Sequence, residues 1–208
     1  MSWTIETPVF GNKDMESLKD AIAAAARANI IMFCSTSDQG SLTKEHCYPG
    51  DFDGCIRIGG ATDTGEALTW VNSDKVHFLL PGHNVPFVNN EGHVMSSESG
   101  SSVATAAASG LAGLLMYSSW ILGYGEEYLR DNKNMCEAIK AISTAKMFPK
   151  VQQYFDERFK QELLRTEGPG SRQRQKQPSL GCSLSTMVWN ENCDEALKRV
   201  LKPILEQH

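Results

Sequence analysis

Apolar and polar positions change period several times along this chain. Within "NKDMESLKDAIAAAARA", Met15, Leu18, Ile22 and Ala25 or Ala26 recur on one helical face, which predicts a surface helix over Asn12–Ala28 with an Asn cap and acids in its first turn. "NIIMFCS" follows at once, a short continuous apolar run of the kind that forms a strand covered on both faces. After the turn chemistry of "YPGDFDG", "CIRIGGATDTGEALTW" reads as a second short strand ended by glycines and an Asp-Thr-Gly turn. "KVHFLLPGHNVPF" supplies a third strand, stopped at Pro81-Gly82.

The next segment, "SSESGSSVATAAASGLAGLLMYSSWILGY", carries no charge between Glu98 and Glu126. That is longer than the ~18 apolar residues that suggest a membrane span. Gly100 to Gly113 is nearly all Gly, Ala, Ser and Thr, however, and only Leu114 to Leu122 is strongly apolar. Small residues let a helix approach a sheet closely, so the pattern predicts a long helix buried on most of its circumference and no contact with lipid.

Beyond Gly125, "EEYLRDNKNMCEAIKAIS", "KVQQYFDERFKQELLR" and "NCDEALKRVLKPILEQ" have apolar residues at helical spacing. "EGPGSRQRQKQPS" keeps no apolar period and reads as linker. Three strands with a helix before and after them predict an α/β fold with a parallel sheet and flanking helices, followed by a C-terminal helical extension. Three strands are few for so apolar a helix, so the sheet is expected to be part of a larger one. The expected divisions are a domain over 1–124, a helical extension over 125–166, a linker over 167–181 and a C-terminal helix over 182–208.

A net charge of -5 over 208 residues gives no footprint for nucleic acid or an anionic membrane, and the basic "RQRQK" falls in the linker. Six cysteines show no CxxC or other metal-ligand spacing, so neither a metal nor a cofactor is expected. Free thiols and no visible basic-plus-apolar leader point to a reducing, cytoplasmic setting.

A serine at a helix start is by itself most often a cap. Here Gly100-Ser101-Ser102 follows, in order, "FCSTSDQG", "YPG", "IRIGGATDTGEALTW" and "LLPG". That order resembles the C-terminal half of the subtilisin-like serine protease domain, the subtilases, over Met1 to about Tyr124. "GSSVATAAASG" stands where the family has Gly-Thr-Ser-Met-Ala, so the resemblance implies that Ser102 is the nucleophile. "FCSTSDQG" stands for Ala-Ala-Gly-Asn-x-Gly, which puts Asp38 at the oxyanion-hole position, usually Asn. "MSWTIE" is similar to the Met-Ser-Leu-Gly-Gly strand beside the substrate cleft. The resemblance therefore implies a polypeptide substrate lying between Ser2, Trp3 and Thr4 on one side and Ser35 and Thr36 on the other.

The family's catalytic Asp and His motifs belong upstream of this region. "ATDTGE" around Asp63 comes too late in the order, and His46, His77, His83 and His93 lack the family's His-Gly-Thr context. A serine hydroxyl needs an imidazole to take its proton, so the chain alone is expected to be nearly inert. Asp38 adds a second departure, because an ionised carboxylate cannot donate to an oxyanion as an amide does, whereas a protonated one could. Two functions follow from the resemblance: a serine endopeptidase fragment completed by an N-terminal half, or a non-catalytic peptide-binding module of a larger intracellular host protein.

Overall fold

The computed structural model describes residues 1, 5–6, 12–39, 46–121, 123–125, 127–152, 198–199 and 201–203. The chain divides into two compact units, 1–149 and 150–208. In the second, residues 151–152, 198–199 and 201–203 are helical. The linker expected over 167–181, and most of the helices expected on either side of it, lie outside the described residues.

The first unit contains, in chain order, β1 (Ile5–Glu6), α1 (Asn12–Arg27), β2 (Met32–Ser35), β3 (Cys47–Tyr48), β4 (Cys55–Ala61), β5 (Phe78–Pro81), β6 (Val85–Val88), β7 (Val94–Glu98), α2 (Ser101–Ile121) and α3 (Asn132–Ala141). Its centre is a three-stranded sheet in the order β2-β4-β5. Both pairings are parallel, with Met32 opposite Cys55 and Ile58 opposite Phe78. This is the expected α/β arrangement, and its strands are continuous apolar runs because both faces are covered.

On one face Met32, Cys34 and Cys55 pack with Ile22, Leu18, Ala25 and Ala26 of α1 and with Met1 and Phe52. Side chains alternate along a strand, so Phe33, Ile56 and Ile58 point the other way, toward α2. That helix contacts all three strands. It buries Ala104, Ala108, Leu111, Ala112 and Leu115, a helical repeat of mostly small residues that brings the axis close to the sheet. Its hydroxyls turn back on the helix: Thr105 Oγ1 donates to the Ser101 carbonyl at 2.7 Å and Ser118 Oγ to that of Leu114 at 2.7 Å. No helix among the described residues is long and apolar enough to cross a membrane. The opposite face of α2 leaves Leu114, Tyr117 and Trp120 exposed.

Both outer edges of the sheet have partners. Along β2, the Met1 amino group donates to the Phe33 carbonyl and Ser35 N–H donates to the Met1 carbonyl at 3.1 Å. Along β5, Leu79 N–H donates to the Met147 carbonyl at 3.0 Å, and Phe148 joins Ala61, Leu68, Val71 and Leu79 in a buried cluster. The segment after α3 thus closes the core of the first unit.

The structure departs from the sequence expectations at three places. β1, inside the "MSWTIE" segment likened to a strand, pairs antiparallel with β3, Ile5 opposite Tyr48, a pairing that two-residue segments do not reveal. The third strand ends at Pro81 as expected, and "NVPF" beyond it is a further strand. It forms β6, which pairs antiparallel with β7 as a separate ribbon after a reversal at Asn84, where φ is +49°. The charged segment after Gly125 does not become helical at once either. Tyr128–Arg130 makes a single 3₁₀ turn, and α3 starts at Asn132 because the Asp131 carboxylate accepts from Lys133 N–H at 2.9 Å and Asn134 N–H at 3.1 Å.

Candidate active site

The carboxyl ends of the three parallel strands converge on the first turn of α2. Just beyond β5, the Gly82 carbonyl accepts from Gly100 N–H at 2.8 Å. Near the end of β4, Gly60 N–H donates to Ser101 Oγ at 3.1 Å. Beyond β2, the Asp38 carboxylate accepts from Ser101 N–H at 2.9 Å through Oδ2 and from Ser101 Oγ at 2.6 Å through Oδ1. Gly100 has φ +142°, a conformation that side-chain-bearing residues rarely adopt.

Adjacent serines have opposite environments here. Ser101 is fully buried, and Ser102 is exposed. The helical repeat decides this: Ser101 precedes the buried Ala104, Thr105 and Ala108, whereas Ser102 shares its face with the exposed Ala106 and Ser109. A Cβ on Gly100 would stand 3.1 Å from Asp38 Oδ2 and 3.4 Å from Ser102 Oγ, so the carboxylate and the exposed hydroxyl flank the same glycine. Asp38 and Ser102 are therefore brought together.

Ser35 and Thr36 lie on the stretch that leads to Asp38, and both are buried. Thr36 N–H and Oγ1 both donate to the Ile58 carbonyl, at 3.1 and 3.2 Å. Ser2, Trp3 and Thr4 lie outside the described residues. Ser101 is the participant that sequence reading missed. A signal existed in the helical repeat, but a face built of Ala, Gly and Ser has too little contrast to set its phase.

The described histidines have partners other than Ser102. His46 Nδ1 lies 3.1 Å from Asp51 Oδ2, His93 Nδ1 lies 3.5 Å from Glu91 Oε2, and His83 Nε2 lies 3.1 Å from Asn84 Nδ2. His77 Nδ1 accepts from Arg57 N–H at 2.9 Å, and burial together with the Arg57 guanidinium holds the ring below its usual pKa. Cys34, Cys55 and Cys136 are free thiols. Cys34 is pushed up by its hydrogen bond with Cys55 and by burial, and burial pushes Cys136 up to about 11. Among the described residues, no group of three His, Cys, Asp or Glu side chains is arranged to hold a metal.

An exposed serine on the first turn of a helix, at the carboxyl ends of parallel strands, can offer its hydroxyl to a bound carbonyl carbon. First-turn N–H groups have no intrahelical acceptor and carry the positive end of the helix dipole, so that of Ser102 can meet the carbonyl oxygen.

Solved structures share this fold. The prenylagaramide maturation protease PagA aligns with a TM-score of 0.55 and 22% identity, over 69% of this chain and 50% of that one. For the self-cleaved protease domain of PatA the TM-score is 0.55 at 19% identity, over 71% of this chain and 54% of that domain. The PatG macrocyclase in complex with peptide aligns with a TM-score of 0.51 and 20% identity, over 66% and 40%. This chain thus spans about half the length of the proteases it matches. No curated protein sequence matches it. The subtilase family profile of the S8 peptidases matches residues 1–130, more than half of the sequence and the whole of the sheet, of α2 and of the Asp38–Ser102 region, and the chain belongs to that family.

Proposed function

We propose that this chain supplies the nucleophile side of a serine endopeptidase site. Ser102 Oγ attacks the carbonyl carbon of a polypeptide. Its proton passes to an imidazole carried by a segment with the family's Asp and His motifs, which the resemblance puts ahead of Met1. Ser102 N–H, at the positive end of α2, stabilises the oxyanion from the position beside Asp38. The family resemblance assigns Ser2, Trp3 and Thr4, with Ser35 and Thr36, to the binding of an extended polypeptide that pairs through its backbone. The setting is a reducing cytoplasm, supported by the free thiols of Cys34, Cys55 and Cys136 among the described residues. What carries the reading is the exposure of Ser102 on the first turn of α2 with Asp38 across Gly100.

One observation favours a second reading, a peptide-binding module without turnover. Both Asp38 oxygens accept from Ser101, so the residue at the oxyanion position offers no donor.

Fluorophosphonate labelling tests the proposal. The purified 1–208 chain should label no faster than its Ser102→Ala variant, because none of its described histidines is hydrogen-bonded to Ser102. In a form that carries Asp-Thr-Gly and His-Gly-Thr segments ahead of Met1, labelling should appear and vanish in Ser102→Ala. Labelling of the 1–208 chain that depends on Ser102 would refute the need for an outside base. A complete form that binds peptides and still fails to label would decide for the binding module.

A further inference from the structure

The helix that carries Ser102 lacks a stabilising acid of its own. Its first turn contains none, and the sequence holds no charge between Glu98 and Glu126. Acids stabilise a helix start by accepting its orphan N–H groups and by opposing its positive end. In α2 that part is taken by Asp38, from 63 positions earlier in the chain.

We propose that Asp38 and Ser101 form a latch that sets where Ser102 stands, with Asp38 acting as an acceptor and a positioning residue and not as a donor to the reacting oxygen. The inference rests on the reading of Ser102 as the nucleophile, but its geometry does not depend on the chemistry. Two donors of one residue converge on the two oxygens of one carboxylate: Ser101 N–H on Oδ2 at 2.9 Å and Ser101 Oγ–H on Oδ1 at 2.6 Å. Ser101 Oγ is meanwhile an acceptor for Gly60 N–H at 3.1 Å, and its side chain is fully buried. The chain of bonds runs from β4 through Ser101 to the loop after β2. The Gly100–Gly82 bond ties the preceding residue to the end of β5. Gly100 leaves the room this needs, because a Cβ there would come within 3.1 Å of Asp38 Oδ2. Ser102 is the next residue along, so the start of α2 and the Ser102 N–H and hydroxyl are placed by this clamp.

A carboxylate suits the clamp and an amide does not. Asn has one acceptor oxygen where Asp has two, so it cannot receive Ser101 N–H and Ser101 Oγ–H on separate oxygens as Asp38 does. With its oxygen toward Ser101 N–H, its NH₂ faces Ser101 Oγ, and the hydroxyl proton loses its acceptor. For Asp38 to donate to an oxyanion it would have to release Ser101. An oxyanion donor is therefore improved or preserved by Asp38→Asn, whereas the latch is broken by it.

A double-mutant cycle on the full 1–208 chain tests this, read by urea unfolding and by the amide resonances of Ser101 and Ser102. Asp38→Asn and Ser101→Ala should each lower the folding equilibrium constant about tenfold, the scale of one lost hydrogen bond to a charged group. Together they should do little more than the worse of the two. Ser101→Thr, which keeps the hydroxyl, should stay within about threefold of wild type. Asp131→Ala, which removes the separate cap of α3, should add its full effect to either. The Ser102 amide resonance should move in Asp38→Asn and Ser101→Ala and stay in place in Asp131→Ala, which separates positioning from general loss of stability. An Asp38→Asn chain as stable as wild type, or additive losses at 38 and 101, would overturn the latch. Failure of the Ser102 labelling experiment would leave these outcomes untouched, so the two readings fail separately.

Discussion

Gly82→Ala probes the convergence of strands on α2 with one added methyl group. That Cβ would lie 2.8 Å from the Gly100 carbonyl oxygen, 3.0 Å from Gly60 Cα and 3.2 Å from Ala104 Cβ. Ordinary contact begins near 3.4 Å, so the closest neighbour must yield by about 0.6 Å. None of the three can rotate aside, since two are backbone atoms and the third is the stub of an alanine. Relief requires α2 to lift off the sheet, which stretches the 2.8 Å bond from Gly100 N–H to the Gly82 carbonyl and draws Ser101 away from Gly60 and Asp38. Overpacking of this kind costs about 1–3 kcal/mol, and rigid neighbours put this site near the upper end. At about 2–4 °C per kcal/mol for a chain of this size, the midpoint of thermal unfolding should fall by roughly 5–10 °C. Gly110→Ala is the matched control. It makes the same chemical change within α2 where a Cβ meets nothing within 4 Å, and it should stabilise by about 0.5–1 kcal/mol through helix propensity. Both variants are compared by urea and thermal melts followed by circular dichroism. A Gly82→Ala protein as stable as wild type, or a loss of equal size in Gly110→Ala, would refute the argument from close approach.

Two further outcomes follow from single side chains. His77 is held below its usual pKa by burial and by Arg57, and its Nδ1 is already occupied as an acceptor, so the unfolded chain takes up the proton first. Stability should be complete above about pH 6.5, the unfolded value, and fall as the pH drops through the folded value. His77→Gln should lack that component in urea melts at stepped pH, and equal acid sensitivity in both proteins would contradict it. Cys34, Cys47 and Cys55 are buried, and Cys136 is pushed up to about 11, so iodoacetamide at pH 7.5 should leave all four largely unmodified in the native protein and modify them in urea, as read by peptide mass spectrometry. Rapid native alkylation of Cys34 would show that the face between α1 and the sheet is open.

Local pattern alone determined α1, the three sheet strands and α2. Each is a segment whose apolar repeat declares its period, and burial on both faces removes the polar alternation from "MFCS" and "FLL". The order of short motifs from "FCSTSDQG" to "GSSVATAAASG" pointed to the family and to Ser102 and Asp38 as residues of interest. The tertiary structure alone decided what those residues touch. That Asp38 holds Ser101, that Gly60 and Gly82 receive the start of α2, and that Met147 closes the edge of β5 are contacts across some 20 to 70 residues, set by how the chain closes on itself. The small-residue face of α2 hid which of the two serines turns inward, since Ala, Gly and Ser differ too little in hydrophobicity to fix a helical phase. The ribbon of β6 and β7 was illegible for the opposite reason: its side chains are largely exposed, so no core imposed an alternation on them.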